Sequence, residues 1–259
     1  MTTIDEKRVY AEKEGSEVVL VATGMGVASV SVSADQIGRF GLAHRCTARD
    51  VAARSGEGAV ATDDAVVVSR DQDEFEEIGF PDPIAVGYGS GLFAVDSSGT
   101  LAEYADGDWV ERGCLSDARA IDGDLVAAAD GVHRITAGGV EHAGLDDAND
   151  VAAADPYAAT AEGVFRLGNG WLNELSGDAT AVTADGERAH AVVDGALYER
   201  TADGWRERLA DTDAALVDAA HGDGAVYAIT ADATLLVDAG DGWRSRNLGL
   251  RDVAGIAVP

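Results

Sequence analysis

The chain ends Arg251-Asp252-Val253-Ala254-Gly255-Ile256-Ala257-Val258-Pro259, and the first four of these residues repeat Arg49-Asp50-Val51-Ala52 identically. After the earlier copy, further strand-like segments follow; after the later one the sequence stops. The missing continuation lies at the head of the chain, where residues 17 to 46 supply VVLVATGMG, VASVSVSAD and IGRFGLAHRC. Tail and head thus read as one four-stranded sheet, which closes a ring and removes a free edge. Arg8-Val9-Tyr10-Ala11 also aligns weakly with a first strand. Residues 1–15 are therefore expected to be a tail or an added edge strand, and residues 16–259 a single domain.

Between the two copies one unit keeps returning. Its small, apolar first strand appears as DVAAR from Asp50, DPIAVGY from Asp82, DARAIDG from Asp117 and DVAAAD from Asp150. It appears again as DATAVTADG from Asp178, DAALVDAAHG from Asp213 and DVAGIAVP from Asp252. The leading aspartates lie 32, 35, 33, 28, 35 and 39 residues apart, inside the repeat range of propellers and solenoids. A second strand follows each first one and ends in a turn (LFAVDSSG, LVAAADG, AHAVVDG), and then a more exposed third (VHRITAGG, LYERTADG). The fourth opens on an aromatic at Phe75, Trp109, Trp171, Trp205 and Trp243, and on Val140 in one unit.

Strands of about five residues between Gly/Asp turns, with no period of 3.6, exclude a helical repeat. Four strands per unit predict an all-β, closed propeller. Small first strands suit a crowded central channel, and large fourth-strand aromatics suit the wider space between blades. Six complete units plus the head-to-tail one predict seven four-stranded blades, with six or eight as the alternatives.

The turns SRDQDEF (Ser69 to Phe75), YADGDW (Tyr104 to Trp109), TADGW (Thr201 to Trp205) and AGDGW (Ala239 to Trp243) resemble degenerate Asp-boxes, the structural hairpins of sialidase-like and sortilin-like propellers. Over its whole length the chain resembles a haloarchaeal seven-bladed β-propeller family, degenerate Asp-box or WD40-like in its repeats. The likeness is clearest at Phe40-Gly41-Leu42-Ala43-His44-Arg45-Cys46-Thr47-Ala48-Arg49-Asp50. It implies the fold and the kind of host, and no activity.

Charge agrees with that host. Asp and Glu number 47 against 19 Lys and Arg, a net charge of −28, and Lys7 and Lys13 are the only lysines. Such an excess self-repels in dilute buffer, but molar salt shortens the screening length to about 3 Å. The surplus also argues against nucleic acid as a partner, since that needs basic patches. No apolar run approaches the roughly 18 residues of a membrane span. A soluble, cytoplasmic, halophilic monomer is expected. Cys46 and Cys114 stand in no metal-binding spacing and read as free thiols.

The aspartates Asp50, Asp82, Asp117, Asp150, Asp178, Asp213 and Asp252 are expected to ring one mouth of the channel, flanked by Arg49, Arg119 and Arg251. There they focus negative potential and would hold Ca²⁺ or Mg²⁺, or dock an Arg/Lys-rich peptide; against this, Asp is also a common turn residue. The arginines would pair with those aspartates. His44, His133, His142, His190 and His221 form no zinc pattern, although His44 beside Cys46 has the makings of a nucleophilic pair. No phosphate loop or nucleophile elbow occurs. Two functions follow. The first is a non-enzymatic scaffold that docks a protein partner or a small ligand on a propeller face, with no cofactor. The alternative is a cation-dependent hydrolase, lactonase- or glycosidase-like, using Asp50, Asp117 or Asp150.

Overall fold

Runs such as Val18 to Ala22 or Ala189 to Val193 are, apart from Leu20 and His190, valine and alanine on both faces, which suits strands covered on both sides. The computed structural model describes residues 16–70, 74–209 and 212–259. Within them the chain forms seven separate four-stranded antiparallel sheets and no helix. The weakly aligned Arg8 to Ala11 lies outside the described residues.

Each sheet is one blade. Blade 1 runs from Val253–Ala257 at the centre through Ser16–Thr23 and Gly26–Ser33 to Gln36–His44 at the rim. Blades 2 to 7 follow in order over residues 48–77, 83–114, 118–144, 148–176, 179–209 and 216–247. The innermost strands are Ala48–Arg54, Pro83–Tyr88, Ala118–Asp122, Ala148–Ala152, Ala179–Ala184, Leu216–His221 and Val253–Ala257, and each touches the next around a complete circle. The head-to-tail sheet forms as the sequence predicts: Leu20 faces Ala257, Val21 faces Ile256 and Ala22 faces Gly255.

Burial follows the radius. Second strands such as Leu125–Ala128 and Tyr157–Thr160 are buried throughout, whereas the rim strand Arg244–Asn247 is wholly exposed. The core is therefore seven apolar clusters, one at each seam between blades. Each seam is plugged from the rim by a side chain near or on the later blade's fourth strand: Phe75, Trp109, Val140, Trp171, Trp205 and Trp243, with Phe40 in blade 1. Their polar ends are satisfied backwards, onto the preceding blade. Trp109 Nε1 donates to the Ile78 carbonyl and Trp171 Nε1 to that of Ala143, both at 2.9 Å, and Trp205 Nε1 donates to Glu174 at 3.3 Å. A buried indole needs such an acceptor.

Candidate functional site

Every innermost strand, the closing strand of blade 1 included, starts with a register irregularity one or two residues in. This kink separates two positions that look alike in sequence. One is the residue just before the strand: Thr47, Asp82, Asp117, Asp147, Asp178, Ala215 and Asp252. Four of these, Asp82, Asp117, Asp147 and Asp252, adopt positive φ between 50° and 57°, a conformation that Asp tolerates better than most residues. The other position lies two residues inside the strand: Asp50, Ala85, Ala120, Asp150, Ala181, Asp218 and Gly255; Ala85 and Ala181 pack into the seams, whereas the three aspartates line the channel.

The seven expected aspartates therefore do not share one ring. Asp82, Asp117, Asp178 and Asp252 sit at the mouth where the innermost strands begin, and Asp213 is exposed in the loop ahead of Leu216. Asp50 and Asp150 lie deeper, in the channel. Asp218 joins those two, and sequence reasoning missed it because Asp213 stood in the leading place. The identical tetrapeptides at Arg49 and Arg251 are three residues out of structural register: Asp50 faces Ala61 inside blade 2, while Asp252 precedes the strand.

The arginines divide in the same way. Arg49 donates to Asp82 at 2.6 Å and to the Pro83 carbonyl at 3.1 Å. Arg119 pairs with Asp147 at 2.7 Å and reaches the Ala148 carbonyl at 3.1 Å. Both ties cross to the next blade, and Asn149 makes the same crossing to the Ala179 carbonyl. Arg251 is exposed beside them. Asp82 is held below the usual carboxylate range by the Ser97 hydroxyl and the Arg49 guanidinium.

Asp50, Asp150 and Asp218 share one geometry. Each carboxylate accepts the N–H of its own successor (Val51, Val151, Ala219) at 2.7–2.8 Å. Each also accepts an N–H from the next blade's innermost strand (Val86, Val182, Ile256) at 2.8–2.9 Å. Asp122 does the same for Ala153 at 2.7 Å. The three aspartates are half-buried and line the channel. Burial outweighs the N–H donors and pushes Asp50 up to about 7 and Asp218 up to about 6. Asp150 rises well above the usual range, by burial and by the facing charges of Asp218 and Asp50. No ion pair reaches these three carboxylates among the described residues. Nor do three His, Cys, Asp or Glu groups there stand close enough to hold one metal ion.

Above this floor the channel widens into a cavity of about 780 Å³, open where the innermost strands end. Its wall carries Asp122, Asp185, His221, Tyr88 and Arg54. The Arg54 guanidinium lies 4.7 Å over the Tyr88 ring. Slightly buried, which works the other way, Asp185 is nevertheless held near 2 by N–H donors of Arg188 and Glu187 and by the Arg188 side chain. His221 Nε2 lies 2.8 Å from His190 Nδ1. Burial pulls His190 down to about 3 and His221 to about 4, so both rings are neutral at neutral pH.

His44 takes the structural place that the sequence favours over a nucleophilic pair with Cys46. The His44 ring stands against Phe75 at 5.7 Å, and burial, with Asp63 nearby, pushes the Cys46 thiol up to about 11. Both cysteines are free.

The family described as Beta-prop_HVO_0234-like, beta propeller, matches residues 3–259. No curated protein sequence matches. Among solved structures, YCF48 bound to D1 peptide superposes with a TM-score of 0.60 at 16% identity, over 77% of this chain and 81% of that one. The computationally designed Ika8 protein gives 0.60 at 17% identity, over 93% and 91%. A chain of the nidogen/laminin complex gives 0.58 at 10% identity, over 94% and 98%. At these identities the likeness is one of fold.

Proposed function

The chain belongs to the HVO_0234-like β-propeller family, and from that premise we propose that it is a docking scaffold whose funnel receives part of a protein partner. The observation that carries this reading is the funnel itself, a preformed opening whose floor carboxylates are each fixed by two backbone N–H groups. Groups so tied hold shape well and rearrange poorly, which suits binding rather than turnover. Two of the similar structures, YCF48 and the nidogen/laminin complex, carry a peptide or a protein partner. That lends the docking reading support by analogy of fold. The scaffold works as a monomer in a salty cytoplasm, its acidic surface keeping it soluble.

The test is affinity capture in molar KCl with the intact protein and with Ala154→Trp, which places a bulky ring at the exposed funnel rim. The reading expects a defined partner with the first and its loss with the second. Capture of nothing above background, or equal capture by both, overturns it.

A further inference from the structure

The funnel concentrates carboxylates without supplying their counter-charge. At the opposite mouth, Asp82 and Asp147 have Arg49 and Arg119. In the funnel, Arg188 answers Asp185 and Arg54 is engaged with Tyr88 and the Gly89 carbonyl. Among the described residues, the floor carboxylates of Asp50, Asp150 and Asp218 have backbone N–H donors only.

A second feature of the same cavity is a buried ring nitrogen without a close partner. His221 lines the funnel with its side chain 6% exposed, and its Nδ1 has no hydrogen-bond partner. The nearest acceptor, Asp185 Oδ2, stands 3.5 Å away, beyond a good hydrogen bond. The His190–His221 contact allows either tautomer, and in the one that carries Nδ1–H the ring points a long, weak donor at the Asp185 oxygen that Arg188 already holds.

We propose that the funnel recognises a guanidinium, the side chain of an arginine carried by the docked partner, which enters along the channel axis, past His221 and Asp185 on the wall, toward the Asp50–Asp150–Asp218 floor. The inference rests on the docking reading and deepens it. A guanidinium fits for three reasons. Its five N–H donors spread in a plane, so several carboxylates around an axis are served at once. Charge-assisted bonds to carboxylate are the strong ones. It is also more weakly hydrated than an ammonium, and its directional fork survives in molar salt that screens a point charge.

Binding is then coupled to protons. The groups facing the floor are Asp50 at the inner strand of blade 2, Asp122 of blade 4, Asp150 of blade 5, and Asp218 and His221 of blade 7. Tyr88 of blade 3, Asp185 after the inner strand of blade 6, and Arg54 of blade 2 stand above them. The closing strand of blade 1 contributes Ile256 and Ala257 and nothing that titrates. A cation among these groups favours the ionised carboxylates, so it expels the protons that the empty funnel retains.

The experiment is calorimetric titration of the intact protein in molar KCl with acetyl-Gly-Arg-Gly-amide and with its lysine and citrulline counterparts. Two buffers of different ionisation enthalpy are used, at about pH 7.5 and about pH 5. The arginine peptide is expected to bind at least about tenfold more tightly than the other two, to release protons, and to weaken about tenfold at the lower pH. Equal affinity for citrulline or lysine, no binding of the arginine peptide, or binding without proton release overturns the proposal. All of these are read on unmutated protein, so folding of a variant is not at issue. A partner captured in the affinity experiment but not displaced by arginine amide sinks this inference and leaves docking standing; no partner at all sinks the docking reading.

Discussion

The seam between blades 7 and 1 and the seam between blades 2 and 3 use the same inner device and differ everywhere else. At both, a channel aspartate accepts the N–H of the next blade's innermost strand: Asp218 from Ile256, and Asp50 from Val86. Between blades 2 and 3 the chain is continuous, and further polar ties are the Arg49–Asp82 pair at one mouth, Arg54 on the Gly89 carbonyl and the Tyr88 ring at the other, and Trp109 at the rim. Blade 1 has three of its strands from the other end of the chain. There Glu17 accepts from the buried Tyr227 hydroxyl at 2.6 Å and from the Asp223 N–H. Arg244 pairs with Asp35 at 3.0 Å, and Arg246 reaches the Ile37 and Gly38 carbonyls and stacks on Phe40. Where the backbone does not hold two blades together, side chains along the whole radius do.

The sharpest way to break this comparison is to remove residues 252–259. The truncation strips the partner strand from Val21 and Ala22 and leaves the Asp218 carboxylate without its cross-blade donor. Lost burial and exposed edge together should cost more than about 5 kcal/mol, a melting point lower by more than about 10 °C for a domain of this size. Thermal unfolding in molar KCl checks it. An unchanged melt would mean that the ring is held without its closing strand.

The shared device should respond alike at the two seams. Asp50→Ala and Asp218→Ala each orphan two N–H groups, and each should cost about 2–3 kcal/mol by denaturant titration. Unequal losses would show that closure changes the value of the staple. Their pH dependence has a definite sign. The native state holds the Asp50 and Asp218 protons up to about 7 and about 6, whereas the unfolded chain releases them near pH 4. Stability from this source is thus full below about pH 4 and is lost as pH rises through those values. Asp50→Asn should flatten that loss. The seam between blades 6 and 7 runs the other way. His190 and His221, pulled down to about 3 and about 4, bind protons in the unfolded chain first, so their contribution is lost as pH falls below about 6.5.

On the seam between blades 7 and 1, Tyr227→Phe removes one charge-assisted bond while leaving Glu17 its Asp223 donor. A loss of about 1–2 kcal/mol is expected, again by denaturant titration. A loss near zero would mean that the larger apolar cluster there, from Val19 to Val237, carries the seam alone.

Which of these devices the sequence displays depends on what kind of pattern each obeys. Blade number, closure and the backward-facing rim aromatics rest on coarse periodicity, and small strands returning every thirty-odd residues survive an error of a few positions. The channel position does not. Asp50 and Asp82 both precede small apolar residues, yet a local kink puts one inside the strand and the other before it. The frame marker is the second-strand threonine whose hydroxyl accepts from the tight turn that follows. Thr23, Thr62, Thr160 and Thr230 face Val253, Ala48, Ala148 and Leu216, the first residues of their inner strands. Counting from those threonines places Asp50, Asp150 and Asp218 together. The His190–His221 contact, thirty-one residues apart and across a seam, has no such local marker.

The smallest effect tests the least shielded tie. Arg49→Ala removes the Arg49–Asp82 pair, whose side chains are exposed by about a third and a half. Two long-range bonds go with it, but water replaces both, and molar salt screens what attraction remains. The expected loss is at most about 1 kcal/mol, smaller than that of Tyr227→Phe and shrinking further as KCl is raised. Unfolding midpoints of the two variants at low and molar KCl give the comparison directly. If Arg49→Ala proved the more damaging, the mouth pairs rather than the inner staples would be holding adjacent blades in register. The contrast between a covalently continuous seam and the closing one would then lose its physical basis.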